Sequence, residues 1–399
     1  MRLLKFIGAF LVTLVIVFFL AFGYNLQALR TLFKNSSDLK EGQEWVSKTK
    51  SLKGLTEYIG ANPGRVSVVS RSLINPDTTI SYSPEKPHTL GAISNFFLMA
   101  TYAQMVEKGQ LNPNELVSLK NIDRYQLPYI KSSDHTDAKN WLDDQDVVNA
   151  QNQAPLNDLV QAMVTFNDLA IADYLYYKLG NQSITNTMGV MNVKNTDKPL
   201  PFGGMYITVK PKSGNASFEK HFQALKALSK KEFRDSVLAN EKRFLSDKKF
   251  HEKMVTQFDD DQGLGIGFKE RRDILSLFPK STAREMSNLM SKLQQDSLIS
   301  KSTSQRIKNF MDWPYEQENL NTDFKYYGAM YDNRLGLLNG IDYGASTYTE
   351  EPFAQTVFFD SLQVAFWFHM SSSLMHQDYQ QRLMWDPALR TATQNEINK

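Results

Sequence analysis

The sequence predicts an α+β protein in which an antiparallel sheet is flanked by helices and extended by a helical lobe. Three observations carry this. A hairpin with β-branched alternation, "RVSVVSRSLINPDTTISYS", precedes the long helical patterns. A second block of strand-like text begins near Phe324 and follows them, and a helical segment closes the chain. Strands from the two ends of a chain pair in one sheet when the helices between them cover its faces.

Taken in order, residues 1–24 begin with Arg2 and Lys5 and continue into an almost wholly apolar run over residues 6–22. Such a run is just long enough to cross a bilayer core. No good Ala-x-Ala cleavage site follows in "AFGYNLQALR", so the segment is expected to be an uncleaved, single-pass signal anchor, with a cleaved signal peptide as the alternative. The basic residues before it favour a cytoplasmic N-terminus and place the rest of the chain in the periplasm or outside the cell. Residues 25–50 are polar and mixed in charge, expected as a partly helical juxtamembrane stalk. The remaining chain, 51–399, is expected to form one domain.

Within it, "SLKGLTEYIGANPG" reads as a helix ending at a Gly-containing turn, and the hairpin follows. "GAISNFFLMATYAQMVEKGQL" reads as an amphipathic helix with an exit at Gly109. "PLNDLVQAMVTFNDLAIADYLYYKLG" is largely helical, and "KPLPFGGMYITVKPKSG" breaks into loop and short extended structure. A charged stretch with helical spacing fills about 215–275. Its Lys-rich face reads as solvated, with a membrane-surface or partner helix as the alternative. "STAREMSNLMSKLQQDSLIS" opens with a Ser/Thr cap and Glu285, a helix start. The strands "KYYGAMYDN", "LGLLNGIDYGAST", "AQTVFFDS" and "LQVAFWFHMSSS" come next, then a last helix in "HQDYQQRLMWDPALR".

Composition narrows the chemistry. The 399 residues carry a net charge of +2, which gives no field for nucleic acid. Cysteine is absent, excluding disulfides and thiol catalysis, and the six histidines are scattered with no His-Glu-x-x-His pair. No cofactor and no metal are expected.

The order and spacing of three short segments resemble the serine β-lactamase and penicillin-binding (DD-peptidase) superfamily, class A β-lactamases in particular. In that family a hairpin precedes a helix opening with Ser-x-x-Lys, whose serine attacks a carbonyl while the lysine helps remove its proton. The matching positions are Ala92 and Asn95. Ser94 lies about 200° round the helix from the Ala92 face and reads as structural. The second motif, Ser-Asp-Asn, matches Asn167, Asp168 and Leu169, of which only Asp168 is kept. The third, Lys-Thr/Ser-Gly on a strand, matches Met330, Tyr331 and Asp332; an alternative register uses Tyr326, Tyr327 and Gly328, with Lys325 outside it. The loop "GVMNVKNTDKPLPFGG" has no Glu to activate a hydrolytic water, and the stretch 215–275 is extra to the compact enzymes.

The resemblance implies a β-lactamase/transpeptidase-like fold with its three catalytic motifs degenerate. The expected function is that of an inactive binding or scaffold protein of the cell envelope, with an envelope protein or a peptidoglycan fragment as partner. The alternatives are an active hydrolase in a misread register and a spacer domain with a closed cleft. Tyr326, Tyr327, Tyr331 and Tyr343 are candidates to line the old cleft, with strand-face packing as the other reading. With two lysine positions lost and Asp332 added, that cleft is expected to repel anions.

Overall fold

The computed structural model describes residues 36–211, 218–312 and 324–399. Its centre is a five-stranded antiparallel sheet in the order β2-β1-β9-β8-β7. Strands β1 (Val66–Ser72) and β2 (Ile80–Tyr82) are the predicted hairpin; β7 (Phe324–Arg334), β8 (Leu337–Ser346) and β9 (Pro352–Phe359) are the C-terminal block. The two blocks join along β1 and β9, with Val68 opposite Val357 and Ser70 opposite Gln355. Two short ribbons, β3 (Pro87–Thr89) with β6 (Lys280–Thr282) and β4 (Leu116–Ser118) with β5 (Gln153–Pro155), pin the helices around it.

One face of the sheet is covered from the chain ends. Helices α1 (Ser36–Lys48) and α2 (Leu52–Ala61) pack there with three C-terminal helices, α16 (Val364–Ser373), α17 (Met375–Arg382) and α18 (Pro387–Ile397). Tyr58 stacks on Phe366 at 4.1 Å. Helix α1 falls within the segment expected as a stalk. It is docked on the domain: Asp38 accepts from Val364 N–H at 3.1 Å and pairs with Arg272. The expected anchor, residues 1–24, lies outside the described residues. Among the described residues no helix is long and apolar enough to cross a membrane.

The other face carries the larger core. The helix read as amphipathic begins as a 3-10 turn, Gly91–Ser94, and continues as α3 (Asn95–Glu107). It is buried on every side from Asn95 to Gln104, a central helix rather than a two-faced one. Around it run α4 (Leu119–Asp123), α5 (Ser132–Asp144), α6 (Leu156–Phe166), α7 (Leu169–Leu179) and α8 (Asn181–Val190), followed by α9 (Phe202–Val209). The charged stretch opens with three helices, α10 (Phe218–Lys226), α11 (Lys230–Ser246) and α12 (Lys248–Asp260). Ser229 forms a capping box with Glu232, and Asp247 caps α12, so local hydrogen bonds set both breaks. Helices α13 (Phe268–Ile274), α14 (Ala283–Gln294) and α15 (Lys301–Met311) lead to β7.

Two segments differ from their sequence reading. "LQVAFWFHMSSS", read as a strand, is α16: Asp38 satisfies its first amide, and Phe366 and Met370, one turn apart, enter the core together. "KPLPFGGMYITVK", read as loop and extended, contains α9. Its two glycines are tolerated because Asp173 accepts from the N–H groups of Phe202 (2.6 Å) and Gly203 (2.7 Å) at the helix start. A Cβ at Gly204 would also come within 2.5 Å of Val237 O.

Candidate functional site

The three motif segments meet where α3 begins. Leu90 and the 3-10 turn bring Ala92 against β7, and the Ala92 N–H donates to Asp332 Oδ2 at 2.9 Å. The tight turn requires φ of +58° at Gly91, and a Cβ there would lie 1.7 Å from Asp332 Oδ2. Only glycine has both the backbone freedom and the space. Gly91→Ala is therefore expected to lower the thermal midpoint by several degrees or to prevent folding, measured by differential scanning calorimetry. From the second segment, Asn167 closes α6 in the left-handed conformation (φ 53°) and its Nδ2 donates to Tyr331 O at 2.9 Å. The bonds that join the segments thus fall on the Met330–Asp332 triplet.

Neither Ala92 nor Asn95 carries a nucleophilic or basic side-chain atom. Ala92 and Asn95 are fully buried, and Met330, Asp168 and Leu169 are buried with them. Ser94 is buried and its Oγ donates to Gly91 O at 2.8 Å. Asn95, at the lysine position, has no hydrogen-bond partner for either amide atom among the described residues. Asp168 is structural: Oδ1 accepts from Ile171 N–H at 2.7 Å and caps α7. Its other oxygen meets His135 Nδ1 at 2.6 Å, and His135 Nε2 meets Asp123 Oδ1 at 3.0 Å. Burial opposes charge on His135, but the two carboxylates outweigh it and raise its pKa. The histidine thus bridges α4, α5 and the cap of α7. Its partners lie 12 and 33 residues away, and no local pattern in the sequence marked it.

The charge expectation is corrected here. Asp332 is not a solvent-facing acid. It is fully buried, and its Oδ1 lies 3.3 Å from Arg334 Nε. Arg334 is itself buried and its guanidinium sits 4.6 Å from the ring centre of Phe202. The carboxylate faces the guanidinium in the core, so Asp332 is not an isolated acid in an open cleft. The signal was present in the sequence, because residues two apart on a strand share a face. The same alternation takes Tyr327 and Tyr331 off that face. Tyr327 and Tyr331 lie on the opposite side of β7 from Asp332, packed with Phe353 and Met384, their hydroxyls 2.5 Å apart. Tyr343 is buried in the large core, and Tyr326 is half exposed at the bulged start of β7.

In an acyl-transfer site, the backbone N–H at the nucleophile position typically points at the developing oxyanion. Here that N–H, at Ala92, already holds a carboxylate oxygen. That amide is therefore paired within the chain.

A five-stranded antiparallel sheet with helices on both faces, and a buried helix whose start meets strand β7, makes an α+β architecture. Residues 50–365 match the beta-lactamase enzyme family, and the chain belongs to it. No curated protein matches significantly. Among solved structures, a β-lactamase from Sphaerobacter thermophilus is 8% identical with a TM-score of 0.48, covering 87% of this chain and 97% of that one. A β-lactamase from Chitinophaga pinensis is 14% identical with a TM-score of 0.47, covering 84% and 99%. PBP-A, in an acyl-enzyme complex with penicillin G, is 9% identical with a TM-score of 0.43, covering 82% and 97%.

Proposed function

We propose that this family member is catalytically silent and serves as a binding or scaffold protein of the cell envelope, held to the membrane by residues 6–22. The observation that carries the reading is the Ala92–Asp332 contact: the nucleophile position has no reactive atom, and its amide is occupied by an internal carboxylate. Acyl transfer also needs a base and a proton relay. Asn95, Asn167, Leu169 and Met330 supply neither, and such groups act as a unit. The burial of every motif position except the half-buried Asn167 favours a closed old cleft, with any partner held elsewhere on the surface.

The test is covalent labelling of the full chain by a fluorescent penicillin, read on a denaturing gel. The native protein, Ala92→Ser and Ala92→Ser with Asn95→Lys are all expected to remain unlabelled. A labelled native band would establish an active hydrolase in another register and end the proposal. The anchor is tested separately by alkaline carbonate extraction of membranes. The protein is expected to stay in the pellet, and its release would remove the membrane part of the reading.

A further inference from the structure

A groove on the far side of α14 carries an inference independent of the closed motif site. It encloses about 620 Å³ between the end of β1, the loop after α8 and the exposed face of α14, and runs on into a second hollow of about 430 Å³. Arg284, Asn288 and Lys292 are spaced at four-residue intervals on α14 and line it as one row. Arg71 enters from β1, Lys194 from the loop and Lys280 from β6.

The acids nearby are already committed. Glu85 pairs with Arg284. Glu285 accepts from the N–H groups of Lys194 (2.6 Å) and Asn195 (2.8 Å). Asp197 pairs with Lys230 at 2.8 Å. Among the described residues, Arg71, Lys194, Lys280 and Lys292 form no ion pair. Arg71 Nη1 donates to Asn288 Oδ1 and Lys292 Nζ to Met191 O, so both heads are held at the groove wall by neutral acceptors. Burial and the facing charge of Arg284 both lower the pKa of Arg71, as expected of a cation awaiting a counter-charge. The whole chain has a net charge of only +2, so this concentration does not follow from general basicity.

We propose that this groove binds a linear oligoanion, a chain whose phosphate or carboxylate groups recur along its length. Guanidinium groups suit such oxyanions because their paired N–H donors match two oxygens at once. The cations come from α14, β1, β6 and the loop after α8 rather than from one point, which favours an extended ligand over a single small ion.

The experiment titrates the full chain, in a neutral detergent, with linear polyphosphate of about ten units and with poly-glutamate of matched charge, by fluorescence anisotropy. At least one is expected to bind at low salt with a Kd of about 10 μM or tighter, weakening more than about tenfold between 50 and 200 mM salt. The preferred polymer identifies the phosphate or the carboxylate source. Arg71→Gln and Lys292→Gln are each expected to weaken binding about tenfold, and Lys194→Gln, at an exposed loop position, by at least about threefold. Lys231→Gln and Lys248→Gln, on the exposed faces of α11 and α12, are expected to leave it unchanged. No binding to either polymer, or equal loss in the α11 and α12 variants, would overturn the proposal.

Discussion

Replacing Asp332 with alanine is expected to destabilise the protein by about 3–5 kcal/mol, the usual cost of removing one partner from a buried ion pair. Arg334 is buried against Phe202 and forms its ion pair with Asp332. Without that carboxylate a guanidinium is left in a low-dielectric core, and the Ala92 N–H loses its acceptor as well. For a domain of this size the thermal midpoint should fall by roughly 5–10 °C. The companion variants separate charge from packing. Asp332→Asn keeps an acceptor for Ala92 but leaves Arg334 charged, so it should lose most of the same stability. Asp332→Asn combined with Arg334→Met removes both charges and should recover much of the loss, because a buried pair contributes little beyond a well-packed apolar substitute. Urea unfolding followed by far-UV circular dichroism measures all three. A loss below about 1 kcal/mol for Asp332→Ala would mean that water reaches the pair.

The sequence pattern made some of this architecture visible and concealed the rest for identifiable reasons. Strand β1 announces itself through Val66, Val68 and Val69, and α14 through Thr282, whose Oγ1 accepts from Glu285 N–H at 3.2 Å. Those signals are local. Helix α9 was illegible because its stability is not local: its first amides are satisfied by Asp173, some thirty residues earlier, and its glycines are packed by Val237 and Glu241 on α11. Helix α16 was misread because a short aromatic run has no decisive period; the deciding partner, Asp38, is more than three hundred residues away. The motif positions were legible as absences, a missing serine and missing lysines. What fills their place was not. The two-residue spacing puts Asp332 and Arg334 on one face of β7 but does not say whether that face is buried, which its packing against Phe202 of α9 decides.

Glu241→Gln is expected to make the protein more stable at alkaline pH and to flatten its dependence on pH. Glu241 and Asp173 are both fully buried, from α11 and α7, and flank Gly203 at the start of α9. A Cβ at that glycine would lie 2.7 Å from Glu241 Oε2 and 3.3 Å from Asp173 Oδ2. Asp173 is held by two backbone N–H groups, whereas neither Glu241 oxygen has a side-chain partner among the described residues. Burial raises the pKa of Glu241 well above its ordinary value, and the nearby Asp173 charge adds to the shift. Burial likewise raises that of Asp173, against the pull of its two amides. The sign follows from proton linkage. Below the ordinary carboxyl pKa both folded and unfolded chains are protonated, and the groups add no pH dependence. As pH rises past it the unfolded chain releases its protons while the folded chain keeps them, so stability falls until the raised folded pKa is passed. Each retained proton contributes a slope of about 1.4 kcal/mol per pH unit. Glutamine keeps the shape and the acceptor oxygen but has no proton to lose, and removes that slope. The gain over the native protein should therefore be near zero at pH 4 and grow through neutral to pH 9. Urea midpoints taken at unit pH intervals measure it. Parallel profiles for the two proteins would show that Glu241 is ionised and solvated in the folded state.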